Sequence, residues 1–428
     1  MNIFLKKKIL IYGLGKSGLA AFKFLKNKND VLLYDDFKIK IKNPNIKKKI
    51  IKKKDVINFN FDQIILSPGI DINKCKLSKF LKKNSKKVFS DLDVFVSFYK
   101  NDCITITGTN GKSTSCQLLY NVLKDQKFNV KLVGNIGKPI LLSKKFNKKT
   151  IFIIEASSYQ LEYSKIFWSR YAVILNISPD HLERHKTIKK YVSAKFKLIR
   201  SQNKGCFAFV KKEDYLINNE LKKSKFKSRI IKVDTLKKNK FLSNINNEYF
   251  STNANMENLL FIYAISKILK LKKNLLKKTT EKFKGLKYRQ QIIFKKNRLK
   301  IINDSKSTSF SSSIGVLKAN TNICWLLGGV YKQGDKLNLQ KKYFKNIKAF
   351  IYGKNKKYFI KNLKNRINYE NFNDLKSAIK RVLKLTKKEK KIHQTIIFSP
   401  SAASFDSFKN FEERGAYFNL LIRRYLNG

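Results

Sequence analysis

One stretch of the sequence decides the fold, and it reads CITITGTNGKST from Cys103 to Thr114. An apolar run that breaks into a glycine-rich turn and then opens a helix is typical of a strand that delivers a phosphate-binding loop. Lys112 would reach the outer phosphates and the Ser113 hydroxyl would bind magnesium. The common nucleotide-binding pattern has a glycine where Ile106 stands, so this loop is a shortened relative of the P-loop. A chance Gly-Lys-Ser in a lysine-rich chain is the alternative, and the order of strand, turn and helix disfavours it. The residues expected to bind ATP here are Gly108, Thr109, Asn110, Gly111, Lys112, Ser113 and Thr114.

The chain has 428 residues and a formal net charge of +65. Its length predicts two or three domains. The charge alone would favour a nucleic-acid partner. The lysines, however, are spread over the whole chain among abundant Asn, Ile, Phe and Tyr, which is the mixture that A/T-rich codons encode. We therefore expect no specific nucleic acid partner, and a nucleic-acid-binding ATPase is kept as the alternative.

The five cysteines form no close pair and have no spacing typical of a metal site. They are typical of reduced, buried thiols in a cytosolic protein. The sequence shows neither a signal peptide nor an apolar run of about 18 residues that would span a membrane. We expect a cytoplasmic protein without a membrane partner, and we expect it to be a monomer.

Apolar runs alternate with helical patterns along the chain, which indicates parallel sheets flanked by helices. We predict an α/β fold of three domains. The first, residues 1–90, is Rossmann-like; the second, residues 91–285, is a P-loop ATPase domain with a mainly parallel sheet; the third, residues 286–428, is again Rossmann-like. The predicted strands are Ile9–Tyr12, Val31–Tyr34, Ile64–Leu66, Ile104–Ile106, Ile151–Ile154, Val173–Leu175, Ile301–Ile302, Ile323–Leu327, Ala349–Tyr352 and Thr395–Phe398.

A second glycine-rich turn, GLGKSG at Gly13–Gly18, follows the first predicted strand, and Asp35 and Asp36 end the next one. This spacing is the fingerprint of a dinucleotide-binding unit. Since a nucleotide site lies downstream, the first turn is expected to hold a diphosphate-bearing substrate or a redox cofactor. A tight turn without a ligand is the remaining alternative.

Polar side chains follow several other predicted strands. Glu155 ends a buried strand, where a magnesium-binding carboxylate is expected, although an acid that faces water is the alternative. His181 lies beyond a strand end and would bind a second metal or a substrate carboxylate, whereas a structural histidine is the commoner case. His185 lacks such a context. In the third segment Asp304, Lys332 and Ser404 lie at or after strand ends, which suggests a pocket for a small carboxylate.

Together these segments resemble the Mur ligases, the ATP-dependent amide-bond formers of peptidoglycan synthesis, and among them the members that add D-glutamate. The resemblance covers nearly the whole chain. The resemblance implies that D-glutamate is joined to UDP-N-acetylmuramoyl-L-alanine through an acyl phosphate. It also implies that the first glycine turn binds UDP, which disfavours a redox cofactor at that turn. Its motifs are GLGKSG, SPGI at Ser67–Ile70, TGTNGKST, GNIG at Gly134–Gly137, EASSYQLE at Glu155–Glu162, NDSKST at Asn303–Thr308 and SPSAASFDSFKNFEERG at Ser399–Gly415.

The resemblance also implies a role for individual residues. Lys112, His181 and Lys195 would be catalytic, and Lys195 matches a lysine that carbon dioxide carbamylates. Two magnesium ions would be held by Ser113, Glu155, His181 and Lys195. The contacts to the UDP substrate would come from Lys16, Ser17, Asp36, Ser67 and Asn135. Further ATP contacts would come from Asn258, Arg289 and Asp304, and D-glutamate contacts from Thr308, Lys332, Ser404 and Phe411.

The sequence departs from the family pattern at several positions, among them Tyr288, where histidine is common before the arginine, and Ser401, where cysteine is common. The segment NDSKST usually contains alanine where Ser307 stands, and asparagine usually follows it where Ser309 stands. A sister ligase such as folylpolyglutamate synthase is the other candidate within the superfamily. That type of enzyme begins with its ATPase domain, so the N-terminal GLGKSG unit disfavours it.

Overall fold

The computed structural model describes residues 2–37, 41–237, 239–331, 334–388 and 393–427. These residues form two compact units. The first unit runs to Ile245 and includes Asn258–Thr280, and the second comprises Asn246–Glu257 and the chain from Glu281 onward. The predicted boundaries at residues 90 and 285 stay predictions.

The first unit contains two sheets within the described residues. The N-terminal sheet has the strand order β2-β1-β3-β4, and the central sheet has the order β10-β9-β8-β5-β7-β6. Within the described residues, neighbouring strands of both sheets run parallel, as predicted from the alternation of strands and helices. The strands are β1 (Lys8–Tyr12), β2 (Asp30–Tyr34), β3 (Gln63–Leu66), β4 (Val88–Phe89), β5 (Cys103–Thr107), β6 (Val130–Gly134), β7 (Ile151–Glu155), β8 (Tyr171–Ile174), β9 (Phe207–Lys211) and β10 (Arg229–Val233).

Helices connect these strands and cover the sheets. Parallel strands buried on both faces are continuously apolar, and β5 is buried at every position. The helices are α1 (Lys16–Leu25), α2 (Pro44–Lys47), α3 (Lys53–Asn58), α4 (Ser78–Lys83), α5 (Asp91–Phe98), α6 (Lys112–Asp125), α7 (Ser158–Tyr163), α8 (Leu182–His185), α9 (Ile188–Arg200), α10 (Tyr215–Leu221), α11 (Lys240–Ser243), α12 (Asn253–Ile268) and α13 (Lys273–Lys282).

The C-terminal sheet lies in the second unit and has the order β11-β12-β16-β13-β14-β15. Its first strand is antiparallel to β12, and the other pairs are parallel. Apolar side chains from both faces of the sheet pack against the helices. The elements are β11 (Gln291–Lys296), β12 (Leu299–Asn303), α14 (Phe310–Lys318), β13 (Ile323–Leu327), β14 (Ile347–Tyr352), α15 (Lys356–Leu363), β15 (Asn368–Phe372), α16 (Leu375–Lys388), β16 (Gln394–Phe398) and α17 (Phe411–Asn427).

Every predicted strand lies on a strand of the structure, with ends that differ by a few residues. The sequence prediction missed β4, β6, β9, β10, β11 and β15. Most of these are edge strands, whose shorter or more polar runs carry weaker patterns. Among the residues that the structure describes, no helix is both long enough and apolar enough to cross a membrane.

Candidate functional site

The loop between β5 and α6 has the backbone of a phosphate-binding turn. Gly108 has φ +150° and Gly111 has φ +82°, a conformation that glycine adopts without strain. A Cβ atom at Gly111 would also overlap the side-chain oxygen of Asn258. The predicted ATP residue Asn258 therefore lies against this loop, and the sequence needs glycine at position 111 for two independent reasons.

Lys112 opens α6, and its side chain folds back over the loop. Its Nζ donates to the carbonyl oxygens of Gly108 at 2.9 Å and Thr109 at 2.8 Å. The segment after β8 fixes the same loop, because Asn176 Oδ1 accepts from the N–H of Asn110 at 2.9 Å. The loop that follows β8 thus holds the P-loop from the neighbouring strand.

Lys195 on α9 lies beneath the same loop. It is 1 % exposed, and its Nζ donates to the Gly108 carbonyl at 2.9 Å. The amine also lies 4.5 Å from the ring centroid of Tyr191. Burial, and secondarily the charge of Lys112, place the pKa of Lys195 well below its usual range, although Asp180 acts in the opposite direction. This environment favours the neutral amine.

The sequence prediction missed Tyr191, which is four residues before Lys195 and shares its helix face. Its hydroxyl lies 3.1 Å from Thr109 Oγ1, which also donates to the Ser178 carbonyl. Tyr191 therefore links α9 to the P-loop through a hydroxyl pair. The spacing of four residues between Tyr191 and Lys195 is the sequence pattern from which this contact could have been predicted.

Glu155 ends β7 and is 2 % exposed. Asn135, which follows β6, donates through Nδ2 to Glu155 Oε1 at 3.0 Å and through its backbone N–H to the Glu155 carbonyl at 3.0 Å. The other carboxylate oxygen, Oε2, is buried and has no hydrogen-bond partner within the described part of the chain. A buried carboxylate oxygen with unused lone pairs fits a divalent cation.

His181 precedes α8 and has φ +55°. Its Nδ1 lies 2.9 Å from the Tyr159 hydroxyl, and the carboxylates of Asp180 and Glu183 each approach the imidazole to 3.5 Å. The described residues contain no group of three or more histidine, cysteine, aspartate and glutamate side chains that could hold a metal. The set Ser113, Glu155, His181 and Lys195 therefore stays a predicted metal site.

His185 belongs to a buried cluster that the sequence did not reveal. It is 2 % exposed, and its Nε2 lies 3.0 Å from the Ser158 hydroxyl. Burial, together with the charge of Arg184, lowers the pKa of His185 to about 4. A neutral, buried histidine that joins α8 to the start of α7 is a structural group.

The first glycine turn has a different set of neighbours. The carboxylate of Asp35 accepts from the Leu14 N–H at 2.6 Å, and the Ser67 hydroxyl donates to the Gly13 carbonyl at 2.6 Å. Asp36, the predicted contact, accepts from the Tyr12 hydroxyl at 2.6 Å. Lys16 and Ser17 begin α1, as the motif predicted. Asn135, in contrast, lies at the central sheet beside Glu155.

The second unit holds Asp304 directly after β12. It is 5 % exposed, and its carboxylate accepts from the Ser399 hydroxyl at 2.9 Å and from the Gln290 N–H at 3.1 Å. Burial raises the pKa of Asp304 to about 7, while these hydrogen bonds and the charges of Arg289 and Arg414 oppose the rise. Of the predicted residues, Arg289 and Asp304 are therefore near each other.

Phe411 begins α17 and approaches the segment after Asp304. The Ser305 hydroxyl donates to the Phe411 carbonyl at 2.9 Å, and Lys306 Nζ lies 4.0 Å from the Phe411 ring centroid. Thr308 is half-buried and Ser404 is buried. Lys332 lies outside the described residues. The sequence prediction missed Lys306, although it lies within the NDSKST motif.

Arg414 is a further residue that the sequence prediction missed. It is 1 % exposed, and its Nη2 donates to the carbonyls of Ser305 at 2.7 Å and Ala402 at 2.9 Å. Its Nε also lies 3.1 Å from the Ser305 hydroxyl. Arg414 therefore joins the segments after β12 and β16, and its position in the FEERG motif was the available pattern.

The parallel central sheet, the glycine loop between β5 and α6, and the buried acid at the end of β7 define a P-loop nucleotide-binding fold. The family model described as "Mur ligase middle domain" matches residues 106–312. A relative from Rickettsia felis, named UDP-N-acetylmuramoylalanine--D-glutamate ligase, is 33% identical, and the match covers 99% of this chain and 99% of the relative. A relative of the same name from Rickettsia bellii is 32% identical, and the match covers 99% of this chain and 98% of the relative. The chain belongs to the Mur ligase family.

Two solved structures share the fold. The MurF ligase from Thermotoga maritima in complex with ADP matches 99% of this chain and 100% of its own, with a TM-score of 0.61 and 13% identity. The UDP-N-acetylmuramate-alanine ligase from Thermotoga maritima matches 98% of this chain and 99% of its own, with a TM-score of 0.52 and 15% identity. The predicted α/β fold with parallel-sheet domains is confirmed.

Proposed function

We propose that this protein is an ATP-dependent ligase that joins D-glutamate to UDP-N-acetylmuramoyl-L-alanine in peptidoglycan precursor synthesis. One observation carries the proposal: Lys112 places Nζ 2.9 Å from the carbonyl oxygen of Gly108 in the P-loop, and the neighbouring strand β7 ends in Glu155, whose buried Oε2 has no hydrogen-bond partner among the described residues. A lysine on a phosphate loop beside a carboxylate that can hold magnesium is suited to bring two anions together. The names of the relatives supply the identity of those anions.

In the first step a carboxylate oxygen of the alanyl group attacks the γ-phosphorus of ATP. The P–O bond to ADP breaks, and an acyl phosphate forms. Since both reactants are anions, the chain must supply positive charge and fixed N–H dipoles. Lys112 and the backbone N–H groups of the P-loop would stabilise the transferring phosphoryl group, and Asn258, Arg289 and Asp304 would contact the rest of ATP.

In the second step the amine of D-glutamate attacks the acyl carbon. The C–O bond to phosphate breaks, and the nitrogen loses a proton, which the departing inorganic phosphate takes up, to give the amide. The D-glutamate carboxylates need cations and hydroxyl donors. We assign these contacts to Thr308, Lys332 and Ser404, and we propose that Phe411 also contacts the bound D-glutamate.

Magnesium fits the donor set at the end of β7. Glu155 offers a buried carboxylate oxygen without a hydrogen-bond partner among the described residues, and oxygen donors are the ligands that magnesium prefers. We propose that Ser113 and Glu155 hold one ion and that His181 and a modified Lys195 contact a second. Bound magnesium would neutralise charge on the phosphates.

Carbamylation of Lys195 is supported by its environment. The neutral amine is the form that adds to carbon dioxide, and burial favours the neutral amine. The carbamate would convert a poorly tolerated cation into a group with carboxylate oxygens.

The Lys195→Ala variant should be inactive and partly restored by short carboxylates such as formate, because these supply the missing oxygens. Phosphate release measured with formate and with chloride tests this prediction. Lys189→Ala, an exposed lysine on the same helix, should keep wild-type activity without rescue. Full activity of Lys195→Ala in chloride would refute the carbamate.

The UDP end of the substrate is proposed to bind at the first glycine turn, through Lys16, Ser17, Asp36 and Ser67, with Asn135 contacting the substrate nearer the central sheet. Asp35 supports this assignment because its carboxylate already lies on the turn at Leu14. An acid in that position can accept hydrogen bonds from ribose hydroxyls. A monomeric, cytoplasmic enzyme remains our expectation.

Phosphate release from ATP tests the function directly. The purified protein should release phosphate when UDP-N-acetylmuramoyl-L-alanine and D-glutamate are both present, and not with either alone or with L-glutamate. Release that ignores both substrates but rises with DNA or RNA would overturn the proposal. It would instead favour a nucleic-acid-dependent ATPase, for which the net charge of +65 is the observation.

A further inference from the structure

Hydroxyl groups form a continuous buried chain that ends at Asp304. The Ser399 hydroxyl donates to Asp304 Oδ2 at 2.9 Å, and Ser313 lies 2.7 Å from Ser399. Ser307 lies 2.7 Å from Ser313, and Ser401 lies 2.6 Å from it. These oxygen–oxygen distances are those of well-formed hydrogen bonds. All four serines are at most 2 % exposed.

The protons of these hydroxyls can be counted. Each serine has one proton to donate, and Asp304 in its ionised form only accepts. Ser399 therefore gives its proton to Asp304 and must accept from Ser313. Since Ser313 has then used its proton, it can only accept from Ser307 and Ser401. Three successive donors thus point toward one carboxylate.

The chain continues outward from Ser307 toward the solvent. Ser312 lies 2.8 Å from Ser307, and Ser309 lies 3.1 Å from Ser312 at the start of α14. The Ser312 hydroxyl has a second acceptor, the Ser309 carbonyl at 2.7 Å, so its proton is divided between two directions. Ser307 also has a second acceptor, the Ser309 carbonyl at 3.4 Å, but its contact with Ser313 at 2.7 Å is much shorter. The directed part of the hydrogen-bond chain therefore runs from Ser307 inward.

We propose that Ser307, Ser313 and Ser399 act as one directed hydrogen-bond chain that stabilises the Asp304 carboxylate, with Ser313 as its hub and as a positioning residue for Asp304. Aligned hydroxyls polarise one another, so the last donor in such a chain is stronger than an isolated serine.

The serine hydrogen-bond chain offsets part of the cost of burying Asp304 in its ionised form. Burial favours the protonated form of Asp304, whereas hydrogen bonds to the charged form favour the carboxylate. The charged groups that face Asp304 are Arg289 and Arg414, and Arg414 is itself faced by Tyr352 and Asp406. At the far end of the chain, Asp335 accepts from the Phe310 N–H at the start of α14.

The test is a titration of the Asp304 carboxyl group by carbon-13 NMR, with labelled aspartate and with the signal assigned by its loss in Asp304→Asn. Ser399→Ala should raise the midpoint by about one pH unit, because a hydrogen bond to a charged group is lost. Ser313→Ala should raise it by about half a unit, since it removes the polarising donor but not the direct one.

Ser266→Ala is the matched control. It removes a buried serine hydroxyl that donates to the Tyr263 carbonyl and contacts none of the four serines, so the midpoint should stay within about 0.2 units of wild type. A Ser313→Ala midpoint equal to that of wild type would overturn the proposal, as would equal shifts in Ser313→Ala and Ser266→Ala. If Ser313→Ala does not fold by circular dichroism, Ser307→Ala tests the same chain one link further out.

A second measurement rests on the proposed function. If Asp304 must be ionised for catalysis, the acidic limb of the kcat/KM profile should move upward in Ser313→Ala by the same amount as the NMR midpoint. If the NMR midpoint shifts but the kcat/KM profile does not, the proposed serine hydrogen-bond chain still holds. Ionisation of Asp304 would then not be one of the ionisations that limit the reaction. Failure of the ligase assay in the wild type would concern the proposed function alone.

Discussion

The two glycine-rich turns, Gly13–Gly18 and Gly108–Thr114, share one local plan and differ in what surrounds them. Each follows a buried parallel strand and opens a helix. A carboxylate contacts the backbone of the first turn, because Asp35 accepts a hydrogen bond from the Leu14 N–H. Two amines contact the backbone of the second turn, because Lys112 and Lys195 both donate to the Gly108 carbonyl. The local motif provides a helix end for an anion, and the neighbouring elements decide which part of a nucleotide it suits.

The largest expected difference between the turns concerns their lysines. Lys112→Ala should reduce phosphate release by at least about 10³-fold, because the cation at the transferring phosphoryl group is lost. Lys16→Ala, the equivalent change at the first turn, should mainly raise KM for the UDP substrate. Steady-state kinetics with each substrate varied separates these effects, and comparable losses of kcat in both variants would contradict the comparison.

Alanine substitutions at the glycines test the backbone of each turn. Gly111→Ala and Gly18→Ala should each lower the free energy of unfolding by at least about 2 kcal/mol. At Gly111 a Cβ atom would overlap the Asn258 side chain, and at Gly18 it would overlap the Gly13 carbonyl oxygen. Gly15→Ala is the control, since nothing lies within 4 Å of a Cβ atom there and φ is −71°. Urea unfolding measures all three, and a comparable loss in Gly15→Ala would rule out the steric explanation.

Within the described residues, only the second turn has a buried amine beneath it, that of Lys195. We therefore expect the free energy of unfolding to depend on pH. Burial lowers the pKa of Lys195 in the folded protein, whereas an unfolded lysine has a pKa of about 10.4. At pH values between the two pKa values, the unfolded chain binds one more proton than the folded protein. The free energy of unfolding therefore rises with pH by up to about 1.4 kcal/mol per pH unit.

Lys195→Met should remove that part of the slope in buffers free of carbon dioxide. Urea unfolding at several pH values measures it, and Lys189→Met should keep the wild-type slope. A Lys195→Met variant with the slope of wild type would show that the amine is protonated when folded.

The smallest expected effect concerns the acid on the first turn. Asp35→Ala should cost about 1 kcal/mol, roughly a fivefold loss in affinity for the UDP substrate, because the Leu14 N–H loses its acceptor. ATP affinity should not change. Calorimetric titration with each ligand measures both, and an equal loss for ATP would mean that the substitution disturbs the whole first unit.

Much of the fold and part of the candidate site could be predicted from sequence. Continuous apolar runs located the buried strands, and glycine spacing located both turns. Asp35 and Tyr191 were missed as contacts although their sequence positions were visible, because a side chain's partner depends on which strand or helix packs beside it. Arg414 and the serine chain were missed for the same reason: their partners are about 90 to 110 residues away in sequence.

The sequence by itself determined the P-loop, the most apolar strands, and the family to which the chain belongs, because these depend on local spacing and on whole motifs. Only the tertiary structure decided which charges are buried and what they touch. It placed Lys195 beneath the P-loop and enclosed Asp304 with serines from α14 and from the segments after β12 and β16. The physical reason is that desolvation and hydrogen bonding are properties of a site's surroundings, and parallel strands bring those surroundings together from distant parts of the chain.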